Sequence, residues 1–183
     1  MQMETRARTP FFFQMTLVEE MKEITSDMRF KMPRGTNLVP ISVFPQALPI
    51  PQRADSPPDT PEDGGTINYV DGEEEEAIFK CPWCVVKIES GSVPEINGNQ
   101  RIKAAVCFGI FNDSPDNKGH TEILNLIQRV YERFAKNPLL AGQYTYAGGF
   151  EWGLQDEDTH PYFFGAAVMD FEFQGIRREN RYS

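Results

Sequence analysis

Thr121–Lys136, TEILNLIQRVYERFAK, is the stretch whose reading decides the fold. Ile123, Ile127, Val130 and Phe134 recur at i, i+4, i+7 and i+11, with Leu124 and Tyr131 beside them. On a helix this spacing makes one broad apolar stripe, and Glu122, Gln128, Arg129, Glu132 and Arg133 fall on the wet side. Asn137-Pro138 closes the segment, because proline cannot continue a helix and biases its predecessor away from the helical region. A stripe this wide has to be buried, and the β-like runs around it are the partner. The pattern predicts a helix on a sheet.

Working outward, Ile102–Phe111 is apolar enough to be a central strand. Gln143–Leu154 is a second β-like run, with Gly148-Gly149 predicting a bulge or a hairpin bend. After an acidic turn, Gln155–His160, the run Tyr162–Phe173 ends with Met169, Phe171 and Phe173 alternating against Asp170 and Glu172. Phe79–Ile88 is β-like at its Cys84–Ile88 end, and 91–100 is a turn-rich connection. Phe163 and Phe164 are adjacent, so in a strand they face opposite sides. One helix covers one face; the other face needs the N-terminal helix or another subunit.

Towards the N-terminus, residues 1–12 read as an arm. Met15–Arg29 is helix-like, with Met15, Val18, Met21, Ile24 and Met28 roughly on one face, and Pro33 and Gly35 end it. Such a helix covers a sheet or a neighbouring subunit; a methionine-rich groove for a partner is the sharper alternative. Val39–Pro51 carries four prolines, which suits an edge strand and not a central one. The expected architecture is α+β in a single domain. It has a mostly antiparallel sheet of about four strands packed by one long helix, with an additional N-terminal helix. A mobile acidic loop at 53–77 and a flexible C-terminal tail at 176–183 are expected outside the packed part.

The chain has 183 residues and a net charge of −9, unevenly distributed. Between Asp59 and Glu76 there are eight acids and no base, whereas residues 1–58 sum to +1 and residues 77–183 to −2. No basic patch suggests sequence-specific DNA binding. No run approaches the ~18 apolar residues of a membrane span, and Phe11–Phe13 is too short for a signal-peptide core. The expectation is a chain kept in a reducing cytoplasm, with no membrane association. Three cysteines, Cys81, Cys84 and Cys107, make no disulfide framework.

Cys81-Pro-Trp-Cys84 is the loudest chemical signal. In redox proteins a CxxC sits where a strand meets a helix, whose N-terminus lowers the first thiol's pKa. Here Val85-Val86-Lys87-Ile88 follows, a strand pattern. A thiol–disulfide oxidoreductase using Cys81 and Cys84 is the alternative from a different functional class, beside plain strand packing and modest metal binding. His160 after Asp156-Glu157-Asp158 matches no calcium-loop or zinc spacing and reads as a solvated turn. No GxSxG, P-loop or GxGxxG pattern occurs, so neither catalysis, nor a metal, nor a cofactor is expected. The run Glu73, Glu74, Glu75, Glu76 is either a solvated face or, in an oligomer with a channel, a lining that repels DNA phosphates.

Several stretches carry a family resemblance: Val43-Phe44-Pro45-Gln46 with Leu48-Pro49-Ile50-Pro51, Asn125–Phe134 and Asn137-Pro138. Trp152–Asp158, Pro161-Tyr162-Phe163-Phe164-Gly165 and the closing Gly175–Glu179 complete the set. Together, over residues 15–52 and 79–180, they resemble the tail terminator (tail completion) proteins of long-tailed bacteriophages, as found among prophage tail genes of Gram-positive bacteria. The acidic loop and the CPWC sequence depart from that pattern. The resemblance implies a compact α+β subunit in a hexameric ring that caps the tail tube, ends its elongation and presents a surface to the neck. A neck or head–tail joining protein of the same gene cluster is the near alternative. Expected partners are further copies of the chain, the tail tube protein and the neck or head–tail connector proteins. DNA passes through without specific binding. The location implied is the virion, after assembly in the host cytoplasm. Candidate subunit contacts are Met15, Val18, Met21, Trp152, Arg177 and Arg178, and Glu73–Glu76 are the lumen candidates.

Overall fold

The computed structural model describes residues 9–33, 35–49 and 81–176. The acidic loop with Glu73–Glu76, and Arg177 and Arg178 in the tail, lie outside the described residues. Among the described residues the chain runs α1 (Pro10–Ile24), β1 (Phe30–Lys31), β2 (Leu38–Val39), β3 (Ser42–Pro45), β4 (Trp83–Ser92) and β5 (Gln100–Phe111). It continues with α2 (His120–Lys136), β6 (Leu139–Leu140), β7 (Tyr144–Leu154) and β8 (Tyr162–Phe173). The fold is α+β, with a mostly antiparallel sheet.

Two points of the expected architecture need correction. Among the described residues the sheet has eight strands, not about four, and the two helices are nearly equal, at 15 and 17 residues. The long strands β4, β5, β8 and β7 form the antiparallel centre, in that spatial order. The additional strands are short: β3 lies parallel on β4, β6 pairs the start of β7, and β1 with β2 extends the end of β5. Strands β1, β2 and β6 have two residues each and carry no periodicity to read, whereas the four-residue β3 falls in the Pro-rich run expected as an edge strand.

Helix α1 starts at Pro10, earlier than the Met15 expected, and the supposed arm supplies its cap. The Thr9 hydroxyl accepts from the Phe12 amide at 3.2 Å, and Pro10 takes the first helical turn, where no amide is needed. The helix also ends earlier, at Ile24: the Thr25 hydroxyl joins its own amide on the Met21 carbonyl (2.8 and 3.1 Å), and the next amide, of Ser26, turns to the Glu23 carbonyl at 3.2 Å. The α2 terminus follows the expected chemistry. The Asn137 amide donates to the Arg133 carbonyl and the Arg133 guanidinium donates back to the Asn137 carbonyl at 2.6 Å, with Pro138 next.

Both helices pack on the same face of the sheet. Helix α1 buries Phe13, Leu17, Val18 and Met21; α2 buries Ile123, Leu126, Ile127, Val130 and Phe134. Alternate residues of the strands meet them: Cys84 and Val86 from β4, Ile102, Ala104, Val106, Phe108 and Ile110 from β5, and Ala167, Met169, Phe171 and Phe173 from β8. Phe171 is the hub, with ring centroids 4.9 Å from Phe13, 5.2 Å from Phe134 and 6.0 Å from Tyr146. Each such aromatic buries ~1.5–3 kcal/mol of apolar surface, and each ring pair adds ~0.5–1.5 kcal/mol. Gly165 lets α2 sit close to β8: a Cβ there would come 2.5 Å from the Ile123 methyl and 3.1 Å from the Gly153 carbonyl.

Arg129 and Arg133, placed on the wet side by the sequence, tie α2 to α1. Arg133 pairs with Glu20, and Arg129 holds both Asp27 carboxylate oxygens (2.5 and 3.0 Å) while donating to the Ile24 carbonyl at 3.2 Å. Glu122, also assigned to the wet side, is half-buried and accepts from the Asn112 amide group at 2.8 Å. Burial raises its carboxyl above the usual range, and the Asn112 bond opposes that rise.

Candidate functional site

The second face of the sheet carries no described helix, and its composition changes along the strands. At one end Trp83 lies flat on Gly109, where a Cβ would come 2.3 Å from the indole, and leans on Phe164 with centroids 5.9 Å apart. Phe111 and Tyr162 pair beside them at 5.4 Å. Val85, Ala105, Cys107, Ala166 and Val168 fill the middle. At the far end the register sets Lys103 opposite Asp170 and Arg101 opposite Glu172, the latter 3.9 Å apart. The adjacent phenylalanines of β8 divide as the pleat requires: Phe164 stays on this face, and Phe163 packs against the helix-side core.

A groove of about 440 Å³ opens on the other face, between α2 and β7. Leu124, Ile127, Tyr131, Phe150 and Trp152 give it apolar walls, and Asn125 and Gln128 give it a polar rim. Tyr131 and Phe150 pack ring to ring at 5.1 Å. Trp152 is level with Ala167 of β8, which puts it on the helix side, yet 58% of its surface is exposed. The cause is a break in β7: the register shifts twice between Tyr146 and Glu151, around Gly148 and Gly149, which have φ of +97° and +66°. β6 pairs only with Tyr144 and Thr145, so among the described strands none lies along the outer edge of β7 from Ala147 to Leu154.

Of the expected contact residues, Trp152 is at the surface and Met15 is half-buried. Val18 and Met21 are enclosed (2% and 0% exposed), so their side chains belong to the subunit's own core and are not open to a neighbour. The apolar face of α1 was legible; which surface it covers was not. Leu126, absent from the sequence stripe, is fully buried, while Tyr131, included in it, is exposed and lines the groove.

The CPWC motif opens strand β4, with Cys81 and Cys84 buried as free thiols and Cys107 half-buried. Burial pushes the Cys81 thiol up to about 12 against a weaker lowering by its bond with Trp83, and it pushes Cys84 higher still. Thiol–disulfide exchange needs the reverse, an accessible thiol of lowered pKa. His160 stands exposed, 3.4 Å from the Ser114 carbonyl, and its amide donates to Asp158 at 3.3 Å. Among the described residues no group of three or more metal-ligating side chains comes together, and no helix is long and apolar enough to cross a membrane.

No protein-family model matches the chain, and no curated protein matches it.

Proposed function

We propose that this chain is a structural virion protein that caps a phage tail tube as a hexameric ring, ends tail elongation and forms the surface that joins the neck. The family resemblance motivates the reading, and one observation carries its physical side. The chain offers two separate contact surfaces, the aromatic end of the helix-free sheet face and the Trp152 groove, in place of a site that converges on reactive groups. A ring subunit needs at least two, one for each neighbour, because head-to-tail contacts use different patches. It acts by shape and interface and uses no cofactor.

In this reading the partners are further copies of the chain, the tail tube protein and the neck or head–tail connector proteins. DNA passes through without sequence readout, past a lumen lined by Glu73–Glu76. The protein works in the tail and neck of the virion after assembly in the bacterial cytoplasm. The test is the native mass of the purified chain by light scattering, with negative-stain images of the same sample. Rings of about six subunits that bind one end of tail tubes are the expected result. Rings that bind connector proteins and ignore tubes would instead favour a neck protein of the same gene cluster, and a chain that binds neither would overturn the assignment.

A further inference from the structure

We propose that the groove between α2 and β7 is filled, in the assembled protein, by the Ile176–Arg178 segment of a second copy. The contact rests on the ring assignment and gives that ring a specific joint.

The groove presents aromatic walls, Tyr131, Phe150 and a Trp152 that is 58% exposed, to a volume of about 440 Å³. Charge selects the occupant. From Asn137 to Ile176 the sequence has six acids and no lysine or arginine. Four of those acids, Glu151, Asp156, Glu157 and Asp158, are exposed on β7 and the turn after it. The three bases of α2, Arg129, Arg133 and Lys136, are taken up by Asp27, Glu20 and Glu132. This edge of the molecule is therefore apolar, aromatic and negative. Immediately after Ile176, itself 88% exposed, the chain turns basic at Arg177-Arg178. A guanidinium stacks on tryptophan and tyrosine faces while pairing with carboxylates, and an isoleucine beside it supplies an apolar anchor.

The geometry requires the segment to come from another copy. Ile176 lies in a shallow hollow with Val93 and Ile96, in the connection from β4 to β5, on the side of β8 away from β7. Trp152 is level with Ala167, and β8 then runs six residues further, to Phe173, before the chain leaves it. That is about 20 Å at ~3.3 Å per residue. The two residues after Ile176 span only about 7 Å, so a subunit's own Arg177 and Arg178 stay out of reach of its own Trp152. Donor and acceptor surfaces sit at different corners of the subunit, which makes the contact head-to-tail and allows it to close a ring.

The test uses the full chain with Arg177→Glu and Arg178→Glu, whose groove the contact leaves empty. It is titrated with a synthetic peptide of residues Gln174–Arg181 and followed by tryptophan fluorescence. A saturable signal is expected. It should be lost when the receptor also carries Trp152→Phe, weaken as salt is added, and weaken about tenfold or more when both peptide arginines are replaced by glutamate. By sedimentation, the double variant should associate about tenfold or more weakly than the wild-type chain. A peptide that leaves the fluorescence unchanged, or a double variant that associates like wild type, overturns the contact; wild-type rings on tube ends would then leave the ring assignment standing. Peptide binding at Trp152 by a chain that caps no tubes would uphold the contact and remove the tail assignment.

Discussion

Replacing Phe13 by alanine tests how α1 is seated and what it contributes. Phe13 is fully buried, tilted on Phe171 at 4.9 Å and edge-on to Tyr144 at 5.2 Å. Loss of its burial removes ~1.5–3 kcal/mol, and loss of the two ring contacts ~0.5–1.5 kcal/mol each. Together these terms put the total at ~4 kcal/mol, within the ~3–5 kcal/mol typical of Phe→Ala in a core. For a domain with ~5–15 kcal/mol of stability this is a large fraction. In urea, at a slope of ~2 kcal/mol per molar, the midpoint should fall by ~2 M. Phe11 is the control: it lies two residues away, about 200° around the helix, and is 63% exposed. Phe11→Ala should stay within ~0.5 kcal/mol of wild type. If the two variants cost the same, or if Phe13→Ala costs less than ~1 kcal/mol, the helix does not face the sheet as described.

Other perturbations bear on separate parts of the structure. Gly165→Ala forces α2 away from β8 and should cost ~2 kcal/mol, lowering the melting temperature by roughly 6 °C; an unchanged melt would contradict the close approach of Ile123. Glu122→Gln keeps an acceptor for Asn112 and removes a carboxylate whose pKa burial raises. A raised folded-state pKa favours the protonated fold, so the wild type loses stability as pH rises through the carboxylate range. The variant should therefore be the more stable near neutral pH, with the gain vanishing in acid; melts that differ equally at both pH values would refute this. With its thiol near 12, Cys81 is ionised to roughly one part in ten thousand at pH 8. It should react with a thiol reagent about a thousandfold more slowly in the folded chain than when unfolded, and equal rates would reopen the redox alternative. Trp152→Ala should change stability by less than ~0.5 kcal/mol, because the side chain is mostly exposed, while weakening self-association in sedimentation. Unchanged association would remove the groove from the interface.

Long, strongly patterned segments were legible. The alternation of Met169, Phe171 and Phe173 corresponds to the end of β8, Ile102–Phe111 is central between β4 and β8, and Gly148-Gly149 sits at a β7 bulge. In the described part of the Pro-rich run Val39–Pro51, β3 pairs with β4 alone among the described strands, which is the edge position that its prolines marked. What escaped lacked local signal. Thr9-Pro10 is equally consistent with an arm or a helix start, and only the burial of Phe13 decides between them. Arg129 and Arg133 look like solvated charges until tertiary packing brings Asp27 and Glu20 to them. The same holds for the groove: Trp152 stood out in the sequence, but its exposure follows from a bulge combined with where α2 happens to lie. Surface contacts depend on three-dimensional placement that periodicity does not encode.

The assignment as a tail-capping ring is tested most directly by imaging tail tubes assembled from tube protein with and without this chain. The expected result is a ring of about six copies at one end of each tube, with elongation stopped at that end. Tubes that lengthen equally in its presence, with no density added at their ends, would contradict it.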